Sequence, residues 1–131
     1  MRDKELECMA ILRKLLEKCW DETTIWHKNE FCANKPSAGQ CYVTSILLFD
    51  IFGGGSIVSG NVFDDEQFNS HYWYKLQNGR EFDLTSDQFD GDGIFPVEHS
   101  EVFSEIHKPS MRNKRYLRLK QKLIREFFRN V

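Results

Sequence analysis

The sequence has no hydrophobic run that approaches the length of a membrane span. Its longest apolar stretch, Ile46–Phe49, resumes for only two residues after Asp50, whereas a helix needs about 20 apolar residues to cross a bilayer. The first ten residues, MRDKELECMA, are charged and lack the apolar core of a signal peptide. We therefore expect a cytoplasmic protein with no membrane partner.

Metal-binding and disulfide patterns are also missing. The cysteines Cys8, Cys19, Cys32 and Cys41 form no C-x-x-C pair, and the nearest histidine, His27, is not at zinc-finger spacing. The acidic segment DQFDGDG does not match the pattern of an EF-hand calcium loop. Because the cytoplasm keeps thiols reduced, we expect four free thiols, three of them packing residues, and no metal or cofactor.

Prolines are few, and no repeat, linker or low-complexity segment divides the chain. The 131 residues are typical of one domain, so we predict a single domain over residues 1–131. Hydrophobic residues make up 40% of the chain and include eleven Phe, which is enough for a core rich in aromatic rings. The charged residues, 29% of the total, are consistent with the mean hydropathy of −0.54.

Hydrophobic periodicity predicts three helices, over residues 4–19, 41–52 and 111–131. The second is an apolar run that begins at Cys41 and ends at three glycines, which favour a helix end. Residues 21–39 form a long irregular connection between the first two helices. The predicted buried faces are Cys8, Ile11, Leu12, Leu15, Leu16 and Cys19 in the first helix, and Tyr116, Leu119, Leu123, Ile124 and Phe127 in the last.

Three predicted strands lie between the second and third helices. SIVSGNVF at 56–63 is a strand, residues 64–69 are a loop, and 70–86 form a hairpin around the turn signal Asn-Gly. Residues 87–109 are predicted to be irregular. This order of elements predicts an α+β domain with a small antiparallel sheet.

The register of the hairpin decides whether His71 can reach Asp83. A two-residue turn places them on opposite faces, whereas a three-residue loop with Gly79 in the left-handed conformation makes them diagonal neighbours. A one-residue slip moves a whole set of side chains to the other face, so the hydrophobic pattern selects the register. The three-residue loop separates Tyr72, Tyr74, Leu76, Phe82 and Leu84 from His71, Trp73, Lys75, Glu81, Asp83 and Thr85, and we predict this loop.

These residues suggest nucleophilic cysteine chemistry. A cysteine at a helix start meets unpaired N–H groups and the positive end of the helix dipole, which favour a thiolate. We assign Cys41 as nucleophile, His71 as base and Asp83 as the group that orients the base. Gln40 and Gly39 are supports for the oxyanion site. The plainer alternative is that Cys41 is a packing residue. If Cys41 is the nucleophile, the candidate cleft-lining residues are Trp26, Trp73 and Tyr74.

Several segments resemble known families. GQCYV (39–43) is similar to the GQCWV of transglutaminases, and the order Cys, His, Asp is that of transglutaminase-like and arylamine N-acetyltransferase-like members of the papain-like fold. A closer resemblance, to the small bacterial YunG-like family, covers most of the chain. The chain departs from that family by one extra residue before Pro36 and by Tyr74 in place of Asn. The matching segments are Trp26, NKPSAGQC (34–41), LLFDIFGG (47–54), SHYWYKLQNGREFDLTSDQF (70–89) and RYLRLKQKL (115–123).

The resemblance implies a papain-like core, with the Cys41 helix packed on a small antiparallel sheet. It also implies a cysteine-dependent hydrolase or acyltransferase that acts on an amide, ester or thioester of a small molecule or peptide. A binding or regulatory module that keeps the fold without turnover is the alternative. Residues 111–131 carry a net charge of +7, in a chain whose total net charge is −2. We expect this basic segment to be a solvated face that attracts the acidic rest of the chain, in preference to a nucleic-acid partner. The sequence specifies neither the substrate nor the oligomeric state.

Overall fold

The computed structural model describes residues 1–27 and 30–129. Residues 28–29, in the predicted connection, and 130–131, in the predicted last helix, lie outside the described residues. The described chain is α+β, with three α-helices and a four-stranded antiparallel sheet in the order β3-β2-β1-β4. The elements are α1 (Lys4–Glu17), α2 (Cys41–Ile51), β1 (Ser56–Asp64), β2 (Gln67–Lys75), β3 (Glu81–Phe82), β4 (Ser100–Ile106) and α3 (Lys114–Arg129).

Helix α1 begins where the sequence supplies a cap. The side chain of Asp3 accepts a hydrogen bond of 3.0 Å from the backbone N–H of Leu6, which satisfies one of the unpaired donors of the first turn. The helix buries Met9 and Leu16 completely. Ile11, predicted on the buried face, is 61% exposed, because two residues after Met9 the helix has turned to nearly the opposite side.

Helix α2 is the central helix of the core. It starts at Cys41 as predicted, and its consecutive residues from Val43 to Leu48 are all buried, as expected for a helix that is surrounded by other elements. It contacts both β2 and α3. The glycines after it, from Gly53 to Gly55, all have positive φ, and this conformation ends the helix at little cost because glycine has no Cβ.

A tight hairpin joins β1 to β2, so the loop predicted over 64–69 is wrong. The strands pair as far as Asp64 and Gln67, and only Asp65 and Glu66 form the turn, with φ of 54° and 62°. Two left-handed residues match the type I′ turn, whose twist suits paired strands. The acidic sequence hid this turn because it lacks the usual glycine.

The predicted register of the second hairpin is confirmed. Lys75 pairs with Glu81, the backbone N–H of Leu76 donates to Arg80 at 2.9 Å, and Gly79 has φ +90°. The loop therefore has three residues, with glycine at the left-handed position. The predicted apolar face lies in or against the core, which contains Tyr74, Phe82 and Leu84, with Tyr72 and Leu76 packed against it.

The region 87–109, predicted to be irregular, contains the edge strand β4. This strand pairs antiparallel with β1, and its register shifts between Ser59 and Gly60, where Phe103 has no partner. Such a bulge breaks the alternation of inward and outward side chains, so neighbouring Val102 and Phe103 are both exposed, at 56% and 61%. Without this alternation, no hydrophobic pattern predicts a strand here.

Helix α3 packs on the core along a narrower stripe than predicted. Tyr116, Leu119 and Leu123 are buried, but Ile124 and Phe127 are 46% and 54% exposed. The helix packs on α2 and α1, and the side chains at the border of its apolar stripe remain in contact with water.

Candidate active site

His71 and Asp83 form a buried pair on neighbouring strands. His71 Nε2 lies 2.7 Å from Asp83 Oδ2, and both side chains are only 1% exposed. The second carboxylate oxygen accepts hydrogen bonds from the backbone N–H and the hydroxyl of Thr85, at 3.1 and 3.2 Å. The carboxylate is therefore held on both oxygens, and it fixes the imidazole.

This contact determines which ring nitrogen is available for proton transfer. A carboxylate only accepts hydrogen bonds, so Nε2 of His71 carries the proton that it shares with Asp83. Nδ1 is buried and has no well-aligned hydrogen bond among the described residues. Nδ1 is therefore the ring nitrogen that remains available to accept or donate a proton.

Cys41 lies at the first position of α2 and is half-buried. Its side chain is close enough to affect the titration of His71. Burial on its own lowers the pKa of His71, but the Asp83 carboxylate, and after it the Cys41 side chain, raise the pKa above its ordinary value. Hydrogen bonds of an active site are often long or poorly aligned when no substrate is bound, which fits a cysteine that interacts with His71 without a well-aligned bond.

Gln40 and Gly39 hold the chain that leads into Cys41. Gln40 is fully buried and its side-chain amide donates to the carbonyl of Asp21 at 3.2 Å, so it does not cap the helix. The first N–H groups of α2 therefore have no side-chain cap from this residue. Gly39 has φ +78°, and a Cβ there would lie 2.6 Å from the side chain of Ile25, so the turn requires glycine.

Two aromatic rings cover the His71–Asp83 pair. The Trp73 ring lies 5.9 Å from the imidazole and is 2% exposed, and its indole N–H donates to Glu81 at 2.8 Å. Phe89 meets the imidazole edge-on at 5.0 Å. Water is thus excluded from the pair, which strengthens its electrostatic interaction. Phe89 also lines a cavity of about 440 Å³, whose other walls include Asp64, Asp90, Asp92, Glu98 and His99.

The other two predicted cleft residues differ in their positions. Trp26 is 53% exposed, and its ring lies 6.5 Å from that of Tyr42, the residue after Cys41. Tyr74 is 1% exposed, and its hydroxyl donates to Gly54, beyond the opposite end of α2. Tyr74 is therefore a core residue and does not line a cleft at Cys41, because its hydroxyl reaches the far end of α2.

Comparisons with known proteins identify the same family that the sequence motifs resemble. The family model described as "YunG protein" matches residues 9–128. The chain belongs to the YunG family. It is 30% identical over 109 residues to "Uncharacterized protein YunG" of Bacillus subtilis (strain 168), an alignment that covers 83% of this chain and 78% of that protein. No solved structure gives a significant match.

Three residues of the site in this YunG-family chain, Thr85, Phe89 and Tyr42, were not predicted from the sequence. Thr85 follows Asp83 by two residues, the spacing at which Asp side chains commonly accept local backbone hydrogen bonds, so a signal for it was present. Phe89 and Tyr42 gave no such signal, because only the packing of the chain brings their rings beside the site.

The cysteines differ in exposure. All four are free in the structure, but only Cys19 is buried, whereas Cys8 is half-buried and Cys32 is exposed. The expectation of three packing cysteines is therefore wrong for Cys32, which lies in the irregular connection. Burial raises the pKa of Cys19 to about 11, which favours its neutral thiol.

The basic helix α3 interacts with acidic residues of the same chain. Lys120 lies 3.0 Å from Asp50, and Lys122 forms an ion pair with Asp21, so the predicted attraction to the acidic remainder is confirmed at these two positions. No described helix is both long enough and apolar enough to cross a bilayer. Within residues 1–27 and 30–129, no group of three or more His, Cys, Asp or Glu side chains is arranged to hold a metal ion.

Proposed function

We propose that this YunG-family protein is a cysteine-dependent hydrolase or acyltransferase with a papain-like core, in which Cys41, His71 and Asp83 form the catalytic triad. The single observation that supports it best is the buried imidazole that is fixed by Asp83 through Nε2 and interacts with the side chain of Cys41. A structural pair alone does not need a cysteine beside it. Nucleophile, base and orienting group are the three parts that thiol catalysis requires.

The reaction begins with the Cys41 thiolate and the His71 imidazolium. The sulfur attacks the carbonyl carbon of an amide, ester or thioester, and the oxyanion faces the uncapped N–H groups at the start of α2. His71 then gives its Nδ1 proton to the leaving group, and a thioester forms on Cys41. In the second half His71 takes a proton from water or an amine, which attacks the thioester and restores the thiolate.

The order of these elements also supports the papain-like core. The nucleophile lies at the start of a central buried helix, and the other two groups lie on or directly after adjacent antiparallel strands. Gly39 and Gln40 support the start of that helix, and Trp73 keeps water from the imidazole. Hydrolysis and acyl transfer share the thioester and differ only in the acceptor that enters.

Alkylation by iodoacetamide, followed by peptide mass spectrometry, tests the nucleophile. Cys8 is the matched control, because it is also half-buried. We expect Cys41 to react at least about tenfold faster than Cys8, and Asp83→Asn to remove this difference, since a positioned acid–base pair contributes about 10²–10⁴-fold in catalysis. Cys41→Ala removes the fast site and leaves the other rates unchanged.

If Cys41 reacts no faster than Cys8 in the folded protein, and Asp83→Asn changes nothing, the enzyme proposal is wrong. The chain would then be a binding module that keeps the fold.

A further inference from the structure

A row of aromatic side chains runs away from the candidate nucleophile. The ring of Tyr72, next to His71, lies 4.8 Å from that of Tyr42, and Tyr42 lies 6.5 Å from Trp26. Tyr72 is near Cys41, whose charge contributes, after burial, to raising the pKa of the tyrosine. Tyr42 directly follows Cys41 in α2, so the row starts beside the cysteine and ends at an indole that is 53% exposed.

A cation lies at the far end of this row. The guanidinium of Arg115 sits 4.3 Å from the ring centroid of Trp26, and its Nη1 donates to the Trp26 carbonyl at 3.1 Å. Its Nε is buried and has no hydrogen-bond partner, and Arg115 forms no ion pair within the described chain. Lys120 and Lys122, on the same helix, do pair with carboxylates.

A partly buried cation without an anionic partner is costly, and a carboxylate bound at the guanidinium would reduce this cost. Guanidinium binds carboxylates through two parallel hydrogen bonds. Aromatic faces favour flat, apolar groups, by offset stacking or edge contacts. The row and the cation together therefore select a ligand with a flat ring and an anionic group beyond it.

We infer that Tyr72, Tyr42, Trp26 and Arg115 form the substrate subsite, which takes the aromatic part of an aryl-carboxylate acyl compound. The ring of the compound lies along the aromatic row, and its carboxylate meets Arg115. Its reacting carbonyl lies at Cys41. This inference rests on the proposed function, because it assumes that the row leads to the reacting sulfur.

Binding without chemistry tests the subsite by itself. Cys41→Ala protein is titrated with 4-biphenylcarboxylate and with the neutral 4-biphenylcarboxamide, and the indole N–H resonance of Trp26 is followed by NMR. The other two indoles, Trp20 and Trp73, are 3% and 2% exposed and serve as internal references. We expect the carboxylate to bind about tenfold more tightly than the amide, the effect of one charge-assisted hydrogen bond.

Variants assign this preference to the cation. Arg115→Gln should abolish the preference, and Arg115→Lys should restore part of it. The matched control is Arg118→Gln, which removes the same charge from the same helix one turn away and should keep the preference. Equal affinities for the two compounds, or an equal loss in Arg118→Gln, would overturn the inference, because general charge attraction would then explain the binding.

Alkylation separates this inference from the enzyme proposal. Wild-type protein is treated with an aryl-carboxylate chloroacetamide and with its neutral aryl amide, chosen for equal reactivity with glutathione. A faster reaction of Cys41 with the carboxylate, lost in Arg115→Gln, supports both. Carboxylate binding at Trp26 without fast alkylation of Cys41 contradicts the enzyme and keeps the subsite. Fast alkylation by iodoacetamide without any carboxylate preference keeps the enzyme and contradicts the subsite.

Discussion

Replacing Asp83 by alanine should be among the most destabilising single changes in this protein. The substitution leaves the His71 imidazole, 1% exposed, without its charged partner at 2.7 Å. It also removes the acceptor of two hydrogen bonds from Thr85. Removing one partner of a buried ion pair costs about 3–5 kcal/mol, and we expect a loss in that range.

Asp83→Asn should cost less. Its side-chain oxygen still accepts from Thr85, so only the charge-assisted hydrogen bond to His71 is lost, at about 1.5–3 kcal/mol. The two variants therefore separate the contribution of the charge from that of the local hydrogen bonds. Urea unfolding at pH 7, followed by circular dichroism, gives both free energies.

The effect should depend on pH with a defined sign. Burial lowers the pKa of His71, but Asp83 and Cys41 raise it above its ordinary value, so the folded state binds the proton more tightly than the unfolded chain. The stabilisation is complete below the unfolded pKa of about 6.5 and is lost as pH rises through the higher folded value. The difference between wild type and Asp83→Asn should therefore shrink as the pH rises from about 6.5 to about 10.

An exposed ion pair provides the control. Glu7 pairs with Arg2 at 2.8 Å, but the two side chains are 44% and 77% exposed. Glu7→Ala should cost less than about 1 kcal/mol, since water screens exposed pairs. If Asp83→Ala costs no more than Glu7→Ala, or if the Asp83→Asn difference grows with pH, the assignment of a buried, charged His71–Asp83 pair is wrong.

Three further outcomes follow from the structure. Gly39→Ala should lower the free energy of unfolding by about 2–4 kcal/mol, measured in urea, because a left-handed alanine is strained and its Cβ meets Ile25. Native protein treated with Ellman's reagent should be labelled faster at Cys32 than at Cys19, because the Cys32 thiol is exposed and burial raises the pKa of Cys19 to about 11. Glu66→Gly should raise the urea midpoint and increase the free energy of unfolding by about 1 kcal/mol, because glycine adopts the φ of 62° at this position without strain.

The first variant has a matched control, and each prediction has a result that would contradict it. Gly79→Ala has the strain of a positive φ but no atom within 4 Å of its Cβ, so it should cost less than Gly39→Ala. Equal costs would show that Ile25 does not restrict the turn. Labelling of Cys19 at the rate of Cys32 would contradict its burial. A lower urea midpoint in Glu66→Gly would contradict the left-handed turn.

Local rules predicted much of the fold. The start of α2 at Cys41 followed from its apolar run and the glycines after it, and the three-residue register at Gly79 followed from the period-2 alternation of the strands. Both signals are local, because helix ends and hairpin registers depend on residues a few positions apart. The pairing of His71 with Asp83 was therefore within reach of the sequence.

The tertiary structure decided the rest. Strand β4 exists because β1 offers it an edge, and its bulge at Phe103 removed the alternation that a sequence pattern needs. The burial of Phe89 against His71 and the row from Tyr72 to Trp26 both depend on contacts between elements distant in the chain. The sequence by itself determined that His71 and Asp83 share one face of the hairpin. Long-range packing determined which rings surround them and where the guanidinium of Arg115 lies, because burial is a property of the assembled core and not of any local segment.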